Sequence, residues 1–457
     1  MTTGTQTHSN HTRAPRSQSF FRLFLDHPWA PLIMVVGSTL GLIVIGLVMV
    51  YSSSSIVFFV EKGDAASEVM KQILFAAVGI SGAIASACYF NESKLFGGFV
   101  IGFWIVCMIG MVLTAVMGTV GLGAKRWLFL GPISIQPAEF MKISLVLVAV
   151  SLGTKYTNGE LQGREFGVQF AFYIVLPLFM ILVFQSDMGS TAICAVAVLA
   201  VMWLIGVDNK TMLIAIGILV VGAILAISLK SYRSDRMIFL DPWSDPNGSG
   251  YQLIHSFLAL GAGGLFGTGI GNSFEKMDYL PEAETDFIFA IIGEEMGLVG
   301  TVGVIILFLS FLYGSLMIAM NAQTKQGTIT AATLAIMLVF QAFLNMACVT
   351  GIMPLTGKPL PFISSGGSSM ISSCLMVGII LSIALSSQKK NNSQERRDRL
   401  HVVSHVSGAD TARRATSGVV PTRGMPRQGS YQGGRRVQIE VTPLAPLNRS
   451  NPHQRRW

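Results

Sequence analysis

Three carboxylates, Glu282, Glu284 and Asp286, crowd into five residues of the stretch Tyr279-Leu280-Pro281-Glu282-Ala283-Glu284-Thr285-Asp286-Phe287-Ile288-Phe289. A carboxylate beside like charges holds its proton more tightly. One at a helix N-terminus releases it more readily. Both conditions meet here, because Pro281 ends extended chain and a long apolar run follows, so that Thr285 or Asp286 can cap the coming helix. Taken alone, an Asp in this place serves as a cap or as a proton-transferring group.

A second constellation is Glu139 and Lys142, in Gln136-Pro137-Ala138-Glu139-Phe140-Met141-Lys142. Pro137 suits a first helical turn, and the i, i+3 spacing puts both side chains on one face, where they can pair. Ionisable groups within a membrane span are expensive, so the pair is either a lock between helices or the polar wall of a cavity, and the two roles are compatible. Just before it, Lys125-Arg126-Trp127 sets cations beside an aromatic ring, which suits a phosphate or headgroup as well as an interfacial anchor. The glycine-rich stretch 261–271 misses the dinucleotide fingerprint spacing; an anion nest, a hinge or tight helix packing all fit it. In 359–369, two prolines followed by Gly366 and Gly367 break any helix, and broken backbone at membrane depth is tolerated where it lines a cavity. No nucleophile–base set and no His cluster for a metal is evident. The five cysteines lie inside apolar runs without metal or redox spacing and read as packing residues.

These residues must be held by elements whose main solvent is lipid. Hydrophobic residues make up 51% of the 457, and charged residues only 12%, about half the soluble norm of roughly 25%. Apolar runs at 30–51, 70–90, 96–117, 138–153, 166–184, 188–206, 210–230, 292–318, 328–351 and 366–387 are each near the length a spanning helix needs. The fold expected is all-α: a polytopic membrane bundle of about ten helices with a large loop, 231–291, between the seventh and eighth. That loop has apolar content (Leu253, Ile254, Phe257, Leu258, Leu260) for an amphipathic or re-entrant helix and is expected to fold against the bundle. No cleavable signal is evident, so the first run is expected to stay as an anchor.

The net charge of +8 is carried by the tails: residues 388–457 hold +10 and residues 1–29 hold +2, which leaves −4 for 30–387. Basic tails beside a membrane core mark the cytoplasmic side rather than nucleic-acid binding. An even number of spans puts both termini there, with loop 231–291 outside. Residues 1–29 then form a cytoplasmic tail, 30–387 a transmembrane domain, and 388–457, rich in Arg, Ser, Gly and Pro, a disordered cytoplasmic tail.

In this order the motifs resemble the SEDS family of bacterial peptidoglycan polymerases, which includes FtsW and RodA. The likeness covers about 30–387. It rests on the stretches around Arg126 and 136–142, on Gln185-Ser186-Asp187-Met188-Gly189-Ser190, and on Tyr232-Arg233 through Arg236. It continues through Leu240-Asp241-Pro242-Trp243, Gly248-Ser249-Gly250-Tyr251-Gln252, 279–287 and 359–369. The pattern departs at Glu284, Ser186 and Ser365, where members often carry His, Pro and Tyr. The Asp-Pro-Trp and Gly-Ser-Gly-Tyr-Gln stretches and the hydrophilic tails are closer to FtsW than to RodA.

The resemblance implies a glycosyltransferase that polymerises lipid II at the outer face of the bacterial cytoplasmic membrane, for septal wall synthesis. Asp286 falls on the family's essential acidic residue, which overrides the cap reading, and Glu139 and Lys142 fall on its cavity-lining pair. Asp286 would take the proton of a sugar hydroxyl. For the charge on the leaving pyrophosphate the first candidate is Arg126, the second Arg233 or Arg236, and the third a divalent cation, Mg or Mn, with no protein metal site assigned. Ser364 and Gly366 complete the expected substrate-binding set. Expected partners are a class B penicillin-binding transpeptidase and other membrane proteins of the division machinery. The alternatives are a RodA-like elongation polymerase, a flippase for lipid-linked precursor, and a non-catalytic division scaffold.

Overall fold

The structure, a computed structural model, describes residues 29–121, 124–130, 133–228, 238–277 and 279–388. Arg233, Arg236 and all but the inner ends of the two expected tails lie outside the described residues.

The apolar runs form helices α1 (Ala30–Lys62), α2 (Ser67–Tyr89), α3 (Glu92–Met117), α4 (Pro137–Thr157), α5 (Gly163–Val183), α6 (Met188–Ile205) and α7 (Asn209–Ser228). After the long loop come α9 (Ile288–Met320), α10 (Lys325–Val349) and α11 (Gly367–Gln388), and α8 (Tyr251–Gly263) lies within the loop itself. Among the described residues, nine helices are long and apolar enough to cross a membrane. The remaining expected span is α7, a helix of 20 residues that ends where the description breaks off. In lipid, a helix satisfies its own backbone groups, so end signals locate each span. Asp187 caps α6 by accepting the Ser190 N–H at 2.9 Å, and Thr324 caps α10 by accepting that of Gly327 at 3.0 Å.

Burial sorts the helices. The apolar window of α4 is 89% buried, that of α10 78% and that of α11 72%, against 22% for α2 and α5. The first three are inner helices and carry many of the buried polar side chains. The outer ones turn Val44, Leu74, Val106 and Phe179 outward, as a lipid-facing surface requires. α9 packs along α1, and α4 along α6.

Two features depart from the expected helices and loops. Between α3 and α4 lies a small antiparallel meander, β1 (Thr119–Gly121), β2 (Ala124–Leu130) and β3 (Ile133–Ile135), in the order β1-β2-β3. The strand β2 carries Arg126. The second departure is that α9 begins at Ile288, not near 292. Glu294 and Glu295 suggested a later start, but both are buried inside the fold. Glu295 accepts from Lys276 Nζ at 2.8 Å and from Ser52 Oγ, and Glu294 accepts from the Phe274 N–H and Ser273 Oγ. Buried charge is stable only when paired or hydrogen-bonded, and the loop supplies those partners together with Ser52 of α1.

The glycine-rich stretch proves to be a packing device. α9 breaks at Gly297 (φ 67°, ψ −162°), and a Cβ there would lie 2.4 Å from the Gly267 nitrogen. Across this break the turn segment after α8 bonds to α9 backbone: Thr268 N–H donates to Glu294 O at 2.9 Å, and Leu298 N–H to Gly264 O at 3.0 Å. The loop is thereby stitched to the bundle just after the carboxylate-rich turn.

Candidate functional site

Asp286 sits in the turn that feeds α9, and the cap reading does not hold for it. The N-cap of α9 is Phe287, with no side-chain cap. Thr285 instead gives its hydroxyl to Glu282 Oε2 at 2.7 Å, within a turn where Glu282 takes a positive φ of 58°. The turn is braced from behind. Ser364 Oγ donates to the Thr285 carbonyl at 2.6 Å, the Ser365 N–H donates to the Glu284 carbonyl at 2.8 Å, and Asn345 Nδ2 donates to the Asp286 carbonyl at 2.8 Å. Every brace reaches backbone, so the Asp286 carboxylate accepts no hydrogen bond from a described residue and is left for other work.

That carboxylate faces a cavity of about 390 Å³, lined also by Arg126, Gln252, Glu282, Asn345, Thr356, Gly357 and Lys358. Burial and the neighbouring Glu282 push the Asp286 pKa up to about 6, against the opposing pull of Lys358 and Arg126. Such a group is mostly ionised at neutral pH but basic enough to take a proton.

Lys358 is the residue the sequence reading missed. Its ammonium lies 2.6 Å from Asp187 Oδ2 and 2.7 Å from Ser190 Oγ, and the pair is buried. Gly189 makes this possible, since a Cβ there would stand 2.6 Å from Lys358 Cγ. Burial would raise the Asp187 pKa, but Lys358, Arg126 and the Ser190 N–H outweigh it and hold the carboxyl down at about 2. The signal available in the sequence was an ionisable residue just ahead of Pro359, between two apolar helices.

Arg126 reaches the cavity from β2. Its Nε and Nη2 donate to the Gln185 and Ser186 carbonyls at 3.0 and 2.9 Å, which ties β2 to the turn before α6. Arg126, Asp187, Asp286 and Lys358 thus come from four separated segments and bear on one another electrostatically.

Other expected site residues lie elsewhere. Glu139 and Lys142 pair at 2.7 Å with 1% exposure each, and neither lines the cavity. Lys142 also donates to Gln341 of α10 at 2.7 Å, and Glu139 accepts from Ser372 of α11 at 3.2 Å. The cavity-wall reading therefore gives way to a lock among three inner helices, because one-turn spacing at the buried start of α4 points both groups at neighbouring helices. Ser364 and Gly366 likewise do not line the cavity. The Ser364 hydroxyl braces Thr285, and the Gly366 N–H donates to Gln72 Oε1 at 3.3 Å. Arg233 and Arg236 are outside the described residues. Among those residues no group of three or more His, Cys, Asp or Glu could hold a metal ion.

Comparison with known proteins places this arrangement. The pattern of the FtsW/RodA/SpoVE family, described as cell cycle protein, matches residues 33–389. Stage V sporulation protein E of Bacillus subtilis is 35% identical over 365 residues, covering 78% of this chain and 97% of that protein. A probable peptidoglycan glycosyltransferase FtsW of Trichlorobacter lovleyi is 36% identical over 370 residues, 80% of this chain and 94% of its own. Among solved structures, a chain of a peptidoglycan synthase complex that coordinates polymerization and crosslinking aligns with a TM-score of 0.63 at 24% identity, over 79% of this chain and 99% of that one. The rod shape determining protein RodA of Thermus thermophilus aligns at 0.56 and 23%, over 79% and 98%. These structural likenesses establish a shared polytopic helical fold, and by its matched residues the chain, a multi-pass membrane protein, belongs to the FtsW/RodA/SpoVE family.

Proposed function

We propose that this protein is a peptidoglycan glycosyltransferase that polymerises lipid II at the outer face of the bacterial cytoplasmic membrane, in septal wall synthesis. The observation that carries the reading is Asp286: a carboxylate that accepts from no described residue, raised to about 6, lining a cavity of about 390 Å³ with the cations Arg126 and Lys358. Its relatives named probable peptidoglycan glycosyltransferase FtsW support it.

In this mechanism Asp286 accepts the proton of the 4-hydroxyl of an acceptor sugar as that oxygen attacks C1 of the donor. The C1–pyrophosphate bond breaks, and the α-linked donor becomes a β link. A positioned base contributes roughly 10²–10⁴ in rate. Charge gathers on the leaving pyrophosphate, and Arg126, whose guanidinium keeps N–H groups beyond the two given to Gln185 and Ser186, is the first group to meet it. Lys358 is held by Asp187 and adds field rather than a free hand. No step is routed through a metal.

In the proposed orientation both termini are cytoplasmic, with 231–291 outside and 388–457 a cytoplasmic tail. A class B penicillin-binding transpeptidase is the proposed partner, consistent with the pairing of polymerization and crosslinking in the solved complex. A RodA-like role in elongation is the nearest alternative. The test is direct. Purified Asp286→Ala should insert and express like the parent yet make no glycan strands from lipid II on gels. Normal polymer from that variant would sink the assignment, and lipid II transport without polymer by the parent would favour a flippase.

A further inference from the structure

The helix α10 presents two amides one turn apart, Gln341 and Asn345, on the face that meets the segment before α11. Gln341 Nε2 donates to the Pro359 carbonyl at 3.0 Å, and Asn345 Nδ2 donates to the Lys358 carbonyl at 2.8 Å. The two rungs then differ. Gln341 spends its oxygen on Lys142 at 2.7 Å, away from the cavity. Asn345 spends its second N–H on the Asp286 carbonyl, also at 2.8 Å. With both protons of one nitrogen on two carbonyl oxygens, the orientation of the amide is set: the reverse would put oxygen against oxygen. Asn345 is 2% exposed, and its Oδ1 has no partner among the described residues. A buried amide oxygen without a partner costs on the order of 1–3 kcal/mol, so what the nitrogen does must be worth that cost.

We propose that Asn345 is a positioning residue for the polymerisation reaction: one side-chain nitrogen joins the peptide carbonyls of Asp286 and Lys358 and so fixes how far the base stands from the cation that offsets it. The inference rests on the function proposed above. The two carbonyls belong to residues 72 positions apart in the chain and would repel each other without the shared donor. Among the described residues Lys358 is otherwise tethered at its far end, to Asp187 and Ser190, and Asp286 through the backs of its neighbours. Releasing the clamp leaves the ammonium on Asp187 while the Asp286 turn moves away from it. The groups that face Asp286 are Glu282 from its own turn, Lys358, Arg126 of β2 and Asp187 before α6. Greater distance from Lys358 leaves burial and Glu282 less opposed, so the carboxylate protonates at higher pH.

The test uses purified full-length protein and lipid II, with initial rates taken from pH 5 to 8. Asn345→Leu and the smaller Asn345→Ala are compared with the parent, with Gln341→Leu and with Asp286→Asn. Misplacement on the scale of 1 Å costs about 100-fold in a positioned reaction. Both Asn345 variants are therefore expected to lose at least tenfold in kcat with KM for lipid II within twofold, and to show an acid limb displaced upward by half a pH unit or more. Gln341→Leu, which removes the neighbouring rung, should leave the limb in place. If the parent polymerises, Asp286→Asn does not, and the Asn345 variants keep the parental kcat and limb, the positioning role is refuted while the function stands. Loss of kcat in Asn345 and Gln341 variants alike, with no displacement of the limb, equally refutes it in favour of plain packing. A parent that makes no polymer, or an Asp286→Asn variant that makes as much, overturns the function itself.

Discussion

The Asp286 carboxyl is unusual in what it lacks. Asn345 holds the Asp286 carbonyl, Ser364 and Ser365 hold those of Thr285 and Glu284, and no described residue donates to the carboxylate, so burial and Glu282 raise its proton affinity. Its folded pKa stands near 6 against an ordinary 3.8. A carboxyl raised on folding favours the folded state while protonated; that contribution is present below the unfolded value and is lost as pH rises through the folded one. Two pKa units correspond to at most about 3 kcal/mol. Asp286→Asn should therefore raise the thermal midpoint in detergent at pH 8 and leave it nearly unchanged at pH 4. The parent's polymerase rate should fall as pH drops through about 6. An Asp286→Asn midpoint no higher than the parent's at pH 8 would show that the carboxyl is well solvated and ordinary.

At the scale of elements, the decisive feature is the break in α9 and its seam with the loop. Gly297 has a φ and ψ that only glycine adopts readily, and it lies against the Gly267 backbone. Such conformations cost roughly 1–3 kcal/mol for other residues, and here a Cβ adds a backbone clash. Gly297→Ala should lower the thermal midpoint clearly and speed proteolysis between 264 and 280. Gly303→Ala, in the same helix with nothing within 4 Å of the added carbon, should be neutral. Equal behaviour of the two would mean that the seam is not tight in solution. The seam also explains why Lys276 and Glu295 are buried together at 2.8 Å: the loop brings its own cation to a helix that had a carboxylate to satisfy.

At the scale of the whole molecule, α4, α10 and α11 are the most buried spans, and the cavity lies where the end of α10 and the segment after it meet β2 and the loop. Everything used in the proposed chemistry lies between Arg126 and Lys358. A chain ending at Gln388 should therefore polymerise lipid II in vitro at the parental rate, read as glycan length on gels. A scaffold whose basic tail is its working part would instead fail to support division when so shortened.

How far the sequence alone reaches is clear from particular residues. Composition and run length determined the membrane bundle and the approximate place of nine spans among the described residues, because lipid demands about 20 apolar residues wherever a helix crosses. The crowding of Glu282, Glu284 and Asp286 and the apolar faces of the loop were visible as local patterns, and the family resemblance singled out Asp286. Tertiary structure alone decided that Lys358 and Asp187, 171 residues apart, form one pair, that Glu139 and Lys142 turn into the core, and that Ser364 serves the back of the turn rather than the cavity. The reason is physical: a span is specified by the transfer of its own side chains into lipid, whereas the state of a buried charge depends on which partner the chain's topology brings within hydrogen-bond reach.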